Sequence, residues 1–356
     1  MEERNFPTIE GPVCPRPFHH MEKIVLGHGS GGRMTRDLVE KIFLPLLSSP
    51  PLLAGNDFAT LPQVKNGSVL AVSTDCHVVS PLFFPGGDIG RLSVCGTVND
   101  VAMSGAQPYY ITAGFILEEG LPVSTLVRIL ESMKAAAEEA GIQIVAGDTK
   151  VVEKGKADGV FIITSGVGLI HRSQKISGDQ AKPGDVVLIS GTIGDHGIAV
   201  LSERGDLGFS AQVLSDVAPL NHLIQAILQT APNTHVLRDP TRGGLATTLN
   251  EIALQSQIGI RLEERLIPIN PAVRAACEML GFDPLYIANE GKVIVIAPAE
   301  EADQVIQVMS SHPYGKNAAR IGVVHELPVG RVLLQTTIGA TRILDILEGE
   351  MLPRIC

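Results

Sequence analysis

Five aspartates stand close to glycines along the chain, and the chain closes on a thiol. Asp75 follows the apolar run LAVST, Asp148 sits in AGDTK, Asp195 in SGTIGDHG, Asp100 in CGTVNDVAMSGAQP and Asp239 in RDPTRGG. Carboxylates at strand ends beside glycine-rich turns suit a Mg2+–triphosphate site. The hard oxygens hold the metal, the metal bridges phosphate oxygens, and free backbone amides take the remainder. Most aspartates merely cap helices or make turns, and capping alone would explain Asp239; five together favour the metal–phosphate reading. Lys150, two residues after Asp148, and Glu290 in ANEGK would be ordinary solvated charges if exposed. In a closed, partly apolar site either group moves protons near neutral pH. Cys356, the last residue of PRIC, is a thiol held from one side only. Either its position is incidental or the thiol is meant to travel; a prenylation signal would need three residues after it.

Gly27-His28-Gly29-Ser30-Gly31-Gly32 has the G-x-G-x-x-G spacing between a short strand and a helix. A dinucleotide site also needs an acidic residue about 20 positions further on. That region reads LLSSPPLLAG, so the expectation is a flexible anion-binding loop and not a Rossmann fingerprint. His28 and His196, both in glycine-rich loops, are expected to orient or touch phosphate.

The elements that must position these residues alternate between strand and helix. Strands are expected at Lys23–Leu26, Ser68–Thr74, Tyr109–Leu117, Ile142–Ala146 and Val160–Ile170, with helices at Thr35–Leu47, Arg91–Ser104 and Val123–Ala140. A polar stretch, Ser173–Asp185, breaks the pattern and reads as the join between two halves. Beyond it, strands are expected at Val186–Ser190, Lys292–Ala297, Ala319–Val324 and Val332–Leu334. Helices are expected near Ile198–Glu203, Leu220–Leu228, Leu245–Gln255, Ala272–Met279 and Glu300–Ser310. A chain of 356 residues accommodates two such domains. The expected division is a disordered extension over 1–22, an N-terminal domain over 23–172, a C-terminal domain over 173–342 and a mobile tail over 343–356. Cys14, His19 and His20 fall in the extension.

A formal net charge of −10 argues against general nucleic-acid binding. No apolar run reaches the roughly 18 residues of a membrane span, and the polar start MEERNFPTIE is no secretory signal. Five scattered cysteines without a C-x-x-C pair suit reduced thiols in the cytoplasm.

HGSGG, STD, PLFFPGGDIG, CGTVNDVAMSGAQP, FILEEGLP, GDTKVV, SGTIGDHG, RDPTRGG, ANEGK and the terminal PRIC, in that order from Lys23 to Cys356, resemble the hydrogenase-maturation HypE family. The aspartate pattern alone resembles only the wider superfamily of aminoimidazole ribonucleotide synthetase, selenophosphate synthetase and thiamine-monophosphate kinase; PRIC, GDTK and ANEGK narrow it. The resemblance implies an α+β, PurM-like fold of two domains, with an N-terminal sheet that forms a homodimer. It implies ATP and Mg2+, and a Cys356 carbamoylated by HypF, dehydrated to a thiocyanate, and relieved of its cyanide by a HypC–HypD complex. By matching motif, Asp75, Asp100, Asp148 and Asp239 would hold the metal. Gly29, Ser30, Gly31, Gly32, Asn99, Asp100, Thr149 and Asp195 would meet the nucleotide, and Lys150, Glu290 and Cys356 would carry the chemistry. Two other readings remain at this point. A small-molecule phosphoryl-transfer enzyme of the superfamily explains the aspartates without the thiol, and a non-enzymatic thiol carrier explains the thiol without the aspartates.

Overall fold

Period-two burial builds the N-terminal half. The computed structural model describes residues 32–38, 40–41, 59–61, 69–171, 175–205, 213–349 and 351–356. The expected strand at Lys23–Leu26, the extension with Cys14, His19 and His20, and Gly29, Ser30 and Gly31 of the glycine loop lie outside these. Helix α1 (Arg33–Leu38), strands β1 (Ala59–Leu61) and β2 (Val69–His77), the short ladder β3 (Phe83–Phe84) and β4 (Gly87–Asp88), and helix α2 (Ile89–Met103) come first. Strand β5 (Gln107–Glu118), helix α3 (Val123–Ala140) and strands β6 (Gln143–Val152) and β7 (Val160–Ile170) follow. The sheet runs β1-β2-β7-β5-β6. Along β7 burial alternates at every residue, with Val160, Ile162 and Thr164 turned inward. A Cβ on Gly166 would come within 2.7 Å of Thr97 Cγ2, and one on Gly168 within 2.6 Å of Val101 Cγ1. Glycine at these two points lets α2 lie close on the sheet.

Helix α2 is buried at thirteen of its fifteen residues, because it is covered by both halves of the chain. Ile89, Leu92 and Val98 pack with Ile111 and Ile162 of the first half. Ala102 and Met103 pack with Leu223 and Ile227 of the second. Asp88 caps the helix, accepting from the amides of Gly90 at 2.7 Å and Arg91 at 3.1 Å. Arg91 then ties the halves together, pairing with Glu139 at 2.7 Å and donating to the Val217 carbonyl at 3.0 Å.

The second half comprises β8 (Val186–Ile189), α4 (Asp195–Glu203), α5 (Asn221–Thr230), β9 (Val236–Arg238), α6 (Gly244–Ser256), β10 (Gly259–Glu263) and α7 (Pro271–Leu280). It ends with β11 (Ile294–Ala297), α8 (Ala302–Ser311), β12 (Ala319–His325), β13 (Arg331–Gln335) and β14 (Thr341–Leu344). The sheet order is β14-β13-β10-β12-β8-β11-β9. The continuous apolar runs VVLI and IVIA have no polar face because helices cover both sides. Val187, Ile189, Ile294 and Ile296 meet α6, while Val186, Leu188, Val295 and Ala297 meet α5 and α8.

Register explains why three motifs converge. Ile294 at the start of β11 pairs with Ile189 at the end of β8 and with Arg238 at the end of β9. The residues just beyond, Ser190–Asp195, Asp239–Arg242 and Asn289–Lys292, therefore leave the same edge of the sheet side by side.

The structure departs from the sequence reading at the strand ends. Asp75 lies within β2 and Asp148 within β6, not beyond them. Strand β10 was not expected. The expected tail over 343–356 begins inside β14, which pairs with β13 and buries Leu344. A four-residue edge strand with one inward apolar side chain leaves too little alternation to read from sequence.

Candidate active site between the two halves

The C-terminal residues return to the first half and dock. Ile355 faces Val79 in an antiparallel bridge, with the Val78 amide donating to the Cys356 carbonyl at 3.0 Å and the Ser80 amide to the Arg354 carbonyl at 3.2 Å. Ile355 is buried against Val79 and Phe84, and Leu352 packs on Ile287 and Val200. Arg204 donates to the carbonyls of Pro353 and Arg354, and Arg354 pairs with Asp158 at 2.6 Å.

This docking brings the Cys356 thiol beside Glu290. Burial raises the thiol far above its ordinary value; Glu290 and Asp75 add to the rise and Arg242 opposes it. Glu290 is buried, its Oε1 has no hydrogen-bond partner among the described residues, and burial reinforced by Asp75, Asp239 and Asp216 holds its carboxyl well above the carboxylate range. The docked thiol is therefore a neutral SH, a poor nucleophile in this arrangement.

Arg242 of RDPTRGG was missed by the sequence reading. Its guanidinium faces the Cys356 sulfur first and then Asp75, Glu290 and Asp100, and it stands 3.9 Å from Asp75. Asp75 lies on the same face of β2 as Ser73 and His77, toward α2, where Ser73 Oγ donates to Asp100 at 2.7 Å. Cys356, Glu290, Asp75, Asp100, Asp239 and Arg242 thus form one cluster with more carboxyls than cations. Among the described residues no three His, Cys, Asp or Glu side chains are arranged to enclose a metal ion.

A buried frame supports Glu290. Asp216, also missed, accepts from the amides of Glu290 at 3.1 Å and Gly291 at 3.3 Å and pairs with Lys292 at 2.9 Å. Burial alone would raise Asp216, but Lys292, His196 and these hydrogen bonds outweigh it and hold the carboxyl low. Asn289 joins the three motifs: it accepts from the Gly194 amide at 2.7 Å and donates to the Pro240 carbonyl at 2.8 Å. Asn289→Ala leaves the Gly194 amide unpaired inside the protein, while the Pro240 carbonyl keeps the residue 289 backbone amide at 3.2 Å; the expected cost is about 2 kcal/mol, read as a lower denaturant midpoint at unchanged slope.

Other expected nucleotide residues are occupied elsewhere. Asn99 is buried with its amide spent on backbone: it donates to the Ala218 carbonyl at 3.0 Å and accepts from the Leu220 amide at 2.7 Å. Asp195 opens α4, accepts from the Thr192 hydroxyl and is raised by burial beside Lys292 and Asp216. Gly32 packs against the Leu347 carbonyl, which a Cβ would meet at 2.2 Å.

Asp148, Thr149 and Lys150 do not join the cluster within one chain. Asp148 is in register with Gly114, Ile163 and Cys76, three inter-strand steps or about 14 Å from β2. It shares the sheet face of Cys76 and not that of Asp75, and so does Lys150, two residues on. All three are exposed.

The first half matches the AIR synthase related protein family, N-terminal domain, over residues 55–170, and the second its C-terminal domain over 182–335. The carbamoyl dehydratase HypE of Azotobacter vinelandii is 55% identical over 92% of this chain and 96% of its own length. The chain belongs to the HypE family. Two HypE crystal structures have the same architecture. One, in complex with ATP, is 49% identical, covers 94% of this chain and 100% of that one, and superposes with a TM-score of 0.79. The other, a HypE–HypF complex, is 48% identical over 87% of this chain and 99% of that one, with a TM-score of 0.82. The two-domain PurM-like α+β architecture expected from the sequence is that of these HypE relatives.

Proposed function

We propose that this chain uses ATP to dehydrate a carbamoyl group carried on its own Cys356 to a thiocyanate, the source of the cyanide ligand on the iron of a [NiFe] hydrogenase. The observation that carries this reading is the Cys356 sulfur held against Glu290 and Arg242 beside the Asp75 cluster. A thiol that only ferried a group between partners would need no such enclosure.

An amide oxygen leaves poorly and a phosphate ester leaves readily. The carbamoyl oxygen attacks the γ-phosphorus of ATP, releasing ADP, and one N–H proton is lost to give S–C(=NH)–O–phosphate. Loss of the second N–H proton expels phosphate and leaves S–C≡N. Glu290, adjacent to the sulfur and made more basic by burial and by Asp75, Asp239 and Asp216, accepts a proton from the nitrogen. Arg242 faces the negative charge that gathers on the carbamoyl oxygen. Frame residues Asp216 and Asn289 hold Glu290 in place, and the docked tail excludes water from the reacting atoms.

Asp75, Asp100 and Asp239 are hard-oxygen donors in a site short of cations, which fits Mg2+. One or two of these carboxylates would hold the ion, which would supply positive charge to neutralise the triphosphate. HypF supplies the carbamoyl group to an undocked tail, where the thiol is free to ionise, and a HypC–HypD complex receives the cyanide. The setting is the cytoplasm, consistent with free thiols at Cys76, Cys95, Cys277 and Cys356; no described helix is long and apolar enough to cross a membrane.

A second copy of the chain gives Asp148, Thr149 and Lys150 a place. Among the described residues no helix covers the sheet face away from α2, on which Asp148 and Lys150 lie, and on the edge strand β6 the bulge residue Val145 is left at 54% exposure. An uncovered edge of this kind is what a partner strand or sheet buries. Homodimer formation through this face carries Asp148 and Lys150 toward the nucleotide of the other subunit. Val145→Glu is expected to shift the protein to monomer in sedimentation velocity, with loss of dehydration and an intact fold by circular dichroism. A monomeric variant of full activity would sink the shared site.

The test of the function is intact mass after incubation with HypF, carbamoyl phosphate and MgATP. The expected result is a gain of one carbamoyl group, converting with ATP to a species lighter by one water. Carbamoylation without loss of water favours the carrier. No modification while ATP is still consumed favours a small-molecule enzyme of the superfamily.

A further inference from the structure

The tail is held along both of its edges, and the two sides differ in strength. On one edge Val78 and Ser80 take the carbonyls of Cys356 and Arg354. The Ile355 carbonyl, between them, points the other way, as it must in a residue that faces its partner without exchanging hydrogen bonds. His196 meets it there, with Nε2 at 2.7 Å from the oxygen. We propose that His196 is the positioning residue that locks the tail in its docked arrangement, its Nε2–H holding the Ile355 carbonyl so that the Cys356 sulfur rests against Glu290.

The hydrogen-bond network assigns the tautomer. Ser215 Oγ accepts from the Val217 amide at 3.1 Å and so donates to His196 Nδ1 at 2.8 Å. With Nδ1 accepting, Nε2 carries the proton that a carbonyl requires. The ring stands edge-on to Phe84, with centroids 5.4 Å apart, and is wholly buried. It is therefore a fixed, pre-oriented donor.

The remaining side-chain clamps lie at the rim. Arg354 and Asp158 are 51% and 40% exposed, so water replaces that pair at little cost. Water has no such access to the Ile355 carbonyl, because Ile355 is 5% exposed and packed in the core with Val79 and Phe84. Removing the imidazole leaves a buried acceptor unpaired only while the tail is docked, so the whole cost falls on the docked state.

The inference rests on the proposed role of Cys356 for its meaning, but its test does not. Full-length protein is treated with iodoacetamide without ATP or HypF, and the alkylation rate of each cysteine is followed by peptide mass spectrometry. Cys76 is exposed and serves as the accessible reference thiol, its pKa raised by partial burial and Asp75 in wild type and variant alike; Cys95 is buried and reports unfolding. His196→Ala is expected to speed alkylation of Cys356 about tenfold, the weight of one buried hydrogen bond, with Cys76 unchanged and Cys95 still protected. His196→Gln, whose amide N–H reaches toward the same carbonyl, is expected to restore most of the wild-type protection. In single-turnover dehydration His196→Ala lowers the rate while the KM for ATP holds. An unchanged Cys356 rate in His196→Ala overturns the proposal, as does a rise that His196→Gln does not reverse. If His196→Ala also unmasks Cys95, Ser215→Ala takes its place. It frees the ring from its fixed tautomer, so a smaller rise at Cys356 alone supports the latch and no rise overturns it.

Discussion

Replacing Glu290 by glutamine is expected to slow conversion of the carbamoylated tail to thiocyanate about a thousandfold, within the range general-base catalysis supplies. Carbamoylation by HypF should proceed normally, because it takes place on the undocked tail. The variant should therefore accumulate the carbamoyl adduct in intact-mass spectra and consume ATP only at background. Conversion within a few-fold of wild type would remove Glu290 from the mechanism. The same variant tests the electrostatics of the pocket. A carboxyl raised above its unfolded value contributes stability below the unfolded pKa and loses it as pH rises through the folded pKa. In Mg2+-free buffer wild type should thus lose stability relative to Glu290→Gln as pH rises above the ordinary glutamate range, read as diverging denaturant midpoints. Parallel midpoints across that range would mean that Glu290 is not raised.

Replacing Cys356 by serine is expected to abolish modification altogether. Serine matches cysteine in size, and the docking contacts of this residue and its neighbours are mostly backbone: the Cys356 carbonyl to Val78, the Ile355 carbonyl to His196. The tail should dock as before. A serine hydroxyl does not ionise near neutral pH, so it cannot take the carbamoyl group as a free thiolate does. No mass gain should follow incubation with HypF, and ATP consumption that depends on carbamoyl phosphate should vanish. A carbamoyl group found on Cys76 or any other residue of this variant would show that the reacting thiol lies elsewhere.

The residues that carry chemistry were more legible in the sequence than their arrangement. Asp75, Asp100 and Asp239 were singled out from residue type and nearby glycines, Glu290 from its place in ANEGK and Cys356 from its terminal position, and the structure brings these five together. Asp148 and Lys150 were singled out on the same grounds, but lie three strands away on the opposite face. Sequence distance and motif order carry no information on which face of a sheet a residue takes; that depends on register, which non-local pairing decides. Asn99 and Asp195 were expected at the nucleotide because their motifs match those of the family. In this chain Asn99 bonds the Ala218 and Leu220 backbone and Asp195 accepts from Thr192, a common duty of a buried polar side chain.

Arg242 and Asp216 were passed over for a related reason. An arginine in a turn and an aspartate after a serine look like solvated charge until their partners, Cys356 and Lys292, arrive from distant parts of the chain. The tail was misjudged at its root, since Thr341–Leu344 joins a sheet whose neighbouring strand only the fold supplies.

By itself the sequence determined the alternation of strands and helices, the division into two α+β halves, the family, and the set of groups able to do the chemistry. These follow from local periodicity and residue type, which the chain carries at every position. The tertiary structure alone decided which groups share a site, that the thiol docks beside Glu290 in surroundings that raise its pKa, and that His196 meets the tail. Those depend on burial and on contacts between residues far apart in the sequence, such as Glu290 with Cys356 and His196 with Ile355, and no local pattern encodes them.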